Sequence, residues 1–341
     1  MQAVGFQEHG DAGVLQLLDL PDPTPGAGQV VVDIRAVAVN HLDIWVRRGW
    51  PGLNLPRPFI LGSDMAGVIR SVSPDVTAWK PGDEVIVSPG TSCGVCRYCL
   101  SGEDSVCARY GIHGETQNGG YTQQFRTSAS HLLAKPLRLT FPEAASFPLT
   151  FLTAWRMLMV RAQVRPGESV LVMGASAGVS VAGIQLCKLA GATVIAATGD
   201  DDKAQRARAL GADHVVDSRG ELKKQVGALV GREGVDLVFE HVGGPSFRAA
   251  LGVLRKGGRL VTCGATSGSQ VEMDLRHIFF KQQSIIGSTM GSRADLLAVT
   301  RLFEQGRLRP VVDQVLPLAE AARAHTLLEE RKHFGKVVLA P

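Results

Sequence analysis

The strongest constraint on what this chain can become is a rhythm that begins at Glu168. Six short apolar runs, SVLVM, TVIAAT, HVVD, VDLVFEHV, RLVTCG and SIIGS, recur at intervals of roughly twenty to twenty-six residues. The stretches between them read as helices. VSVAGIQLCKLA is apolar on every side and stops at Gly191, and DDDKAQRARALG opens with the acidic residues that favour a helix N-terminus. Strands that alternate with helices run parallel, because each return crosses a face of the sheet, and the helices then cover both faces. Six such strands make a complete doubly wound α/β sheet.

The preceding residues read differently. QVVVDIRAVAV, DMAGVIRSV and DEVIVSP are extended runs broken by proline and glycine turns, Pro81-Gly82-Asp83 among them, and predict an irregular antiparallel barrel. After Ser288 come a helix over Asp295 to Gln305, the run VVDQVLPL, a helix around Ala319 to Glu330 and a final strand KVVLA, a tail expected to rejoin the barrel. The predicted domains are therefore 1–150 with 289–341, and 151–288, with the boundary inside a helix-like segment near Thr150. A chain of 341 residues is long enough for two cores. With 45% hydrophobic and 20% charged residues it is neither disordered nor fibrous. A net charge of +4 without a basic run gives no support for nucleic-acid or anionic-membrane binding. The opening MQAVGFQEHGDAGV lacks a basic segment followed by an apolar core, and no apolar run approaches 18 residues, so a cytoplasmic protein is expected.

Four of the six cysteines, Cys93, Cys96, Cys99 and Cys107, fall in one short window, CGVCRYC and eight residues beyond it. Such spacing lets thiolates turn inward around one small cation. Four thiolates close a tetrahedron around zinc and leave no place for water or substrate, so a site of this kind, in a lobe at about 90–110, supports folding rather than chemistry. The alternative is two disulfides, which a reducing compartment disfavours. Cys187 and Cys263 lie in apolar text and read as core.

The run SVLVM leads into Gly174, Ala175, Ser176, Ala177, Gly178 and Val179, and then into a helix. A strand, a tight small-residue turn and a helix N-terminus form the arrangement in which backbone amides receive a pyrophosphate. Ala177 and Ser180 stand where the usual G-x-G-x-x-G pattern has glycines. The next strand ends at Thr198-Gly199, where NAD-binding chains usually carry an acid for the adenosine ribose. Without that carboxylate a 2′-phosphate is tolerated, with Lys188 or Lys203 as partners, whereas Asp200, Asp201 and Asp202 argue for NAD unless they serve the next helix. NAD(H) and NADP(H) both stay open.

The cysteine window, the glycine turn and the order of barrel before parallel sheet together resemble the medium-chain dehydrogenase/reductase superfamily, which includes zinc alcohol dehydrogenases and quinone reductases. The resemblance spans the whole chain. It implies a GroES-like catalytic domain paired with a Rossmann domain, nicotinamide held in the cleft between them, and homodimers or homotetramers. It also implies that Thr153, Gly243, Gly264 and Ser288 line the cofactor. Zinc alcohol dehydrogenases hold a second, catalytic metal at places that here read Asn40, Ser63 and Leu149, and relay the alcohol proton through a hydroxyl residue that here is Leu42. None is a good zinc ligand, so the catalytic zinc is expected to be absent.

Hydride delivered to a simple aldehyde leaves a localised alkoxide that needs a Lewis acid, whereas a quinone or enone spreads the charge. The expectation is an NAD(P)H-dependent reductase of conjugated carbonyls, with Asn40, Asp43 and Ser63 as candidate catalytic residues. Asn40 offers a neutral hydrogen bond, and Asp43 serves as a proton source or merely as a brace. Rival readings are an alcohol dehydrogenase with unusual zinc ligands, drawing on His41, Asp43 and Asp64, and a nucleotide-binding regulator without catalysis.

Overall fold

The run QVVVDIRAVA forms a single strand, Gln29–Ala38, whose β-branched residues are buried along almost its whole length. It is the spine of a seven-stranded sheet in the computed structural model, which describes residues 1–341. Strand Asp64–Val72 pairs with it antiparallel, and two register shifts bend the pair, as the closure of a small barrel requires. Strand Lys336–Ala340 pairs with its other end, Val338 against Ala38, which brings the tail into the same sheet. The chain divides into Met1–Leu149 with Ser292–Pro341, called unit 1 below, and Thr150–Gly291, unit 2. It passes from one to the other inside the helix Pro148–Trp155.

Unit 2 contains the six runs as strands, numbered here within the unit: β1 Ser169–Val172, β2 Thr193–Thr198, β3 His214–Asp217, β4 Val235–Glu240, β5 Leu254–Thr262 and β6 Ser284–Gly287. All pair in parallel in the order β3-β2-β1-β4-β5-β6. The connecting helices are α1 Gly178–Leu189, α2 Asp201–Ala209, α3 Leu222–Val230, α4 Gly244–Gly252 and α5 Leu275–Lys281. Leu171, Ile195, Val238 and Leu260 of the strands share a core with Val226 of α3 and Phe247 of α4. A parallel sheet of this order reverses direction between β1 and β4, and ligands of such sheets bind beyond the strands' carboxyl ends at that point. No helix is long and apolar enough to cross a membrane.

Candidate functional site

In unit 2 the carboxyl edge of the sheet gathers most of the residues expected to hold a dinucleotide. Gly174 follows β1, Thr198 ends β2, Gly243 follows β4, Gly264 follows β5 and Ser288 follows β6. Gly174 has φ +61°, and a Cβ there would stand 3.2 Å from the His241 ring, so the turn needs glycine on both counts. Ala177 precedes α1 as its N-cap and supplies no side-chain acceptor, and the first turn of α1 has no acid, so its leading N–H groups face outward uncapped. Ser176, Gly178 and Val179 are half-buried around that opening, above buried Ala175.

The departure from glycine at Ser180 has a physical role. Its hydroxyl donates to Met173 O (2.8 Å) and sits 2.7 Å from His241 Nε2, clipping the helix start to the end of β1. Glu240 fixes the next loop, its Oε1 accepting from the N–H groups of Val242 and Gly243 and its Oε2 from Thr262 Oγ1. Burial raises the Glu240 carboxyl above its ordinary value against those donors. Gly243 adopts φ +70° with Gly268 O so near that a Cβ would stand 2.5 Å from it. Ser288 Oγ is buried without a partner, and Thr153 Oγ1 lies 4.0 Å from Met290 Sδ.

Beyond β2 the structure separates the candidate phosphate partners. Lys188 is tied to the Asp213 carboxylate (2.8 Å) and to Ala192 O just before β2, at the opposite edge of the sheet, so it is no partner for a ribose phosphate. Asp200 N-caps α2 by accepting from Lys203 N (2.9 Å), and Asp201 and Asp202 fill the first turn. The residue that does reach the place is Arg219, beyond β3. Its Nε stands 2.6 Å from where a Cβ on Gly199 would be, and it is steadied by Asp217 Oδ1 at 3.1 Å. Register alone could have found it, because Asp217 pairs with Thr198.

In unit 1 the places of the expected metal ligands converge on one carboxylate. Asp64, fully buried, accepts from Leu149 N on Oδ1 (2.7 Å) and from Asn40 Nδ2 on Oδ2 (2.9 Å). Lys336, only 4% exposed, reaches the same Oδ2 at 3.1 Å and donates to Asn40 Oδ1 at 2.5 Å. The Asn40 amide is therefore engaged on both sides, and its orientation is set by a cation on one side and an anion on the other. Lys336 opens the apolar strand KVVLA, and that lone charge was the only hint of it in the sequence. Ser63 is fully buried, and its Oγ has no hydrogen-bond partner. Leu42 packs against the barrel core.

Asp43 and Asp64 are buried, not the solvated carboxylates that carboxylates near a cleft usually are. Asp43 accepts from Asn40 N (2.8 Å), Gly62 N (3.1 Å) and Tyr121 Oη (3.1 Å), which fills both oxygens. Desolvation nevertheless pushes its carboxyl up to about 6, against those hydrogen bonds. Behind it runs a buried chain: Tyr121 Oη to His325 Nε2 at 3.0 Å, His325 Nδ1 to Arg47 Nη1 at 3.1 Å, and Arg47 Nη2 to Glu329 at 2.5 Å. Arg47 can only donate, so Nδ1 accepts, Nε2 carries the proton toward Tyr121, and Tyr121 donates to Asp43. Burial, with Arg47 beside it, pushes the His325 imidazole down to about 3. His41 stacks edge-on against Trp45 with 5.2 Å between ring centroids and does not join this chain.

The cysteine lobe meets the geometric test for a metal. The Sγ atoms of Cys93, Cys96, Cys99 and Cys107 lie within 4.8 Å of one another, with 3.8 Å from Cys93 to Cys99 and 3.5 Å from Cys96 to Cys99. Thiolates at tetrahedral zinc distances stand ~3.8 Å apart. All four are free thiols, and it is the one convergence of three or more His, Cys, Asp or Glu side chains suited to a metal. The N–H groups of Val95 and Cys96 bring the Cys93 thiol down to about 5, so that it is a thiolate at neutral pH. Val95, Leu100 and Val106 are exposed, so the lobe has no apolar core to hold it.

Comparison with known proteins agrees with this layout. Residues 26–137 match the family described as alcohol dehydrogenase GroES-like domain, and residues 178–305 match zinc-binding dehydrogenase. The chain is 31% identical to crotonyl-CoA carboxylase/reductase of Cereibacter sphaeroides over 97% of its length and 84% of that protein's. It is 30% identical to acryloyl-coenzyme A reductase of Metallosphaera sedula over 99% of both. A solved NAD-dependent alcohol dehydrogenase superposes with a TM-score of 0.97 at 48% identity, covering 100% of both chains.

Proposed function

The chain belongs to the medium-chain dehydrogenase/reductase superfamily of NAD(P)-dependent oxidoreductases, and from that premise we propose that it reduces a conjugated carbonyl compound, an enone, quinone or enoyl thioester, without a catalytic metal. The observation that carries this reading is the contact of Lys336 with Asn40 and Asp64. Two of the three metal-ligand places hold an amide and a leucine, and the carboxylate beside them is already matched by an ammonium group. That set offers neutral hydrogen bonds rather than Lewis acidity, which suits an acceptor able to spread its own charge. Two relatives are named for crotonyl-CoA and acryloyl-CoA, both conjugated thioesters, which supports the same class.

The glycine turn, Gly174 to Val179, would hold the dinucleotide, whose chemistry is hydride donation, here to the carbon β to the carbonyl. The charge would pass to the carbonyl oxygen, and Ser63, whose buried hydroxyl has no partner, is the candidate donor to it. Asn40 acts as a positioning residue, since its amide is held from both sides. Asp43 braces the start of the helix His41–Arg48, and the proton that completes the reaction at the α carbon comes from solvent. Arg219 beside Gly199 favours NADP(H), because a guanidinium there pairs with a 2′-phosphate and no carboxylate at Thr198 competes for the ribose. Thr198 and Lys203 border that place. The four cysteines hold one structural zinc. Exposed Phe279, Phe280 and Ile285 beside the open edge of β6 make that edge the contact between copies in a homodimer or homotetramer, and free thiols suit a cytoplasmic setting.

The competing reading is an alcohol dehydrogenase with unusual zinc ligands, favoured by the name of the solved neighbour at 48% identity. Purified protein is assayed for NADPH and NADH oxidation against enoyl thioesters, enones, quinones and aldehydes, and for alcohol oxidation, with and without added zinc. Turnover of conjugated acceptors indifferent to added zinc is expected. Alcohol oxidation that rises with a second zinc per chain would overturn the proposal.

A further inference from the structure

Unit 2 has a second concave feature, away from the carboxyl edge. It is a groove of about 930 Å³ that runs along α3 and the end of α4 to the starts of β4 and β5. That volume is the size of a small-molecule site. Lys223, Lys224, Arg232, Lys256 and Lys281 line it, and none of the five has an ion-pair or hydrogen-bond partner for its side chain. Arg255 also lines it, held by Asp236 (2.5 Å), and Glu233 is the single carboxylate on the wall. With Arg255 matched by Asp236, five unpaired cations face one carboxylate, a local excess of four positive charges that equals the net charge of the entire chain, +4. Like charges gathered in a concavity repel one another and focus a field that attracts anions.

The shape of the groove has its own cause. Gly227 lies inside α3 and Gly252 ends α4, and a Cβ at either would meet nothing within 4 Å. Neither glycine is demanded by packing, and glycine weakens a helix relative to alanine. What the two glycines provide is room above a floor made by buried Val226, Val253 and Leu254. An apolar floor with open space over it, ringed by unpaired cations, is suited to a flat ring carrying phosphates.

We propose that this groove is a second nucleotide site, separate from the glycine turn, which takes a nucleoside di- or triphosphate with its base over Val253 and Leu254 and its phosphates among Lys223, Lys224, Arg232, Lys256 and Lys281. The test is titration calorimetry on the full chain already saturated with NADP⁺, with ADP and inorganic tripolyphosphate as separate probes. One further ADP site per chain is expected, at least tenfold tighter than tripolyphosphate and weakened by added salt. Arg232→Glu with Lys256→Glu, both exposed, should weaken ADP tenfold or more while NADP⁺ affinity is unchanged, and Gly227→Phe should abolish ADP binding by filling the groove. Tripolyphosphate binding as well as ADP overturns the nucleotide assignment. Absence of ADP binding, indifference to charge reversal, or displacement of ADP by further NADP⁺ overturns the site itself. Circular dichroism of each variant separates loss of the site from loss of fold.

Discussion

The two units hold their functional groups by opposite means. Unit 2 offers backbone: uncapped N–H groups at α1, a left-handed Gly174 and strand ends that share one edge because the sheet is parallel. Unit 1 offers side chains, brought together from residues 40, 64 and 336 or clustered within its cysteine lobe. A site made of backbone tolerates many side chains and fails only where conformation fails. A site made of buried charges fails whenever one partner is removed, because the other is left without compensation.

The largest effect should come from the lobe. Its apolar residues are exposed, so a metal on the four thiolates would take the place of a core, and binding at such a site contributes on the order of 10 kcal/mol. Cys99→Ser should lower zinc content from one per chain to near none and make residues 90–110 the first protease-sensitive segment. A variant that keeps its melting temperature and resists protease without zinc would mean that the lobe is held by something else.

Next comes Lys336→Met, which strands the buried Asp64 carboxylate. The expected cost is about 3–5 kcal/mol by chemical denaturation. Lys336→Met with Asp64→Asn should recover much of it, since the uncompensated charge is gone. If the single variant loses no more than an exposed lysine would, the ion pair is not a feature of the protein in solution.

Why unit 2 could be read from sequence and unit 1 only in part follows from the same contrast. The strand rhythm, the glycine turn and the helix-capping role of Asp200 are local, and chain neighbours fix them. Asn40 and Ser63 were found only as departures from a resemblance. Lys336 meets Asn40 across 296 positions, and nothing near it in the chain says so. Tyr121 and His325, which complete the brace behind Asp43, were invisible for the same reason. Lys188, offered with Lys203 as one of two alternative phosphate partners, is a matter of a side chain rather than the backbone: Asp213 claims it at the far edge of the sheet.

Arg219→Ala sharpens the contrast inside unit 2, because it removes the one side chain proposed to bind there. A charge-assisted hydrogen bond of about 1.5–3 kcal/mol predicts a KM for NADPH raised roughly ten- to a hundredfold. The KM for NADH and the kcat with either cofactor should stay close to wild type. Equal losses with both cofactors would show that Arg219 supports the fold of the β3 end instead.

The last contrast concerns pH. Burial drives the imidazoles of His113 and His325 down to about 3 and that of His41 to about 4, below the unfolded value of 6.5. In each case the unfolded chain binds a proton that the folded chain refuses, so stability is complete above pH 6.5 and is lost as the pH falls toward those values. Each group contributes a slope of about 1.4 kcal/mol per pH unit in that window. Asp43 opposes them: its carboxyl, raised to about 6 from 3.8, stabilises below pH 3.8 and loses that contribution as the pH rises through 6. Glu240 in unit 2 is also raised, so acid favours that loop while it weakens the barrel. His113 isolates one member of the set, because both ring nitrogens are buried without partners and the ring meets Phe125 edge-on at 5.1 Å. Phenylalanine keeps that contact and cannot be protonated. His113→Phe should match or exceed wild-type stability at pH 8 and show an acid slope shallower by about one proton between pH 6 and 4. An unchanged slope would place His113 in water, with the barrel's acid sensitivity arising elsewhere.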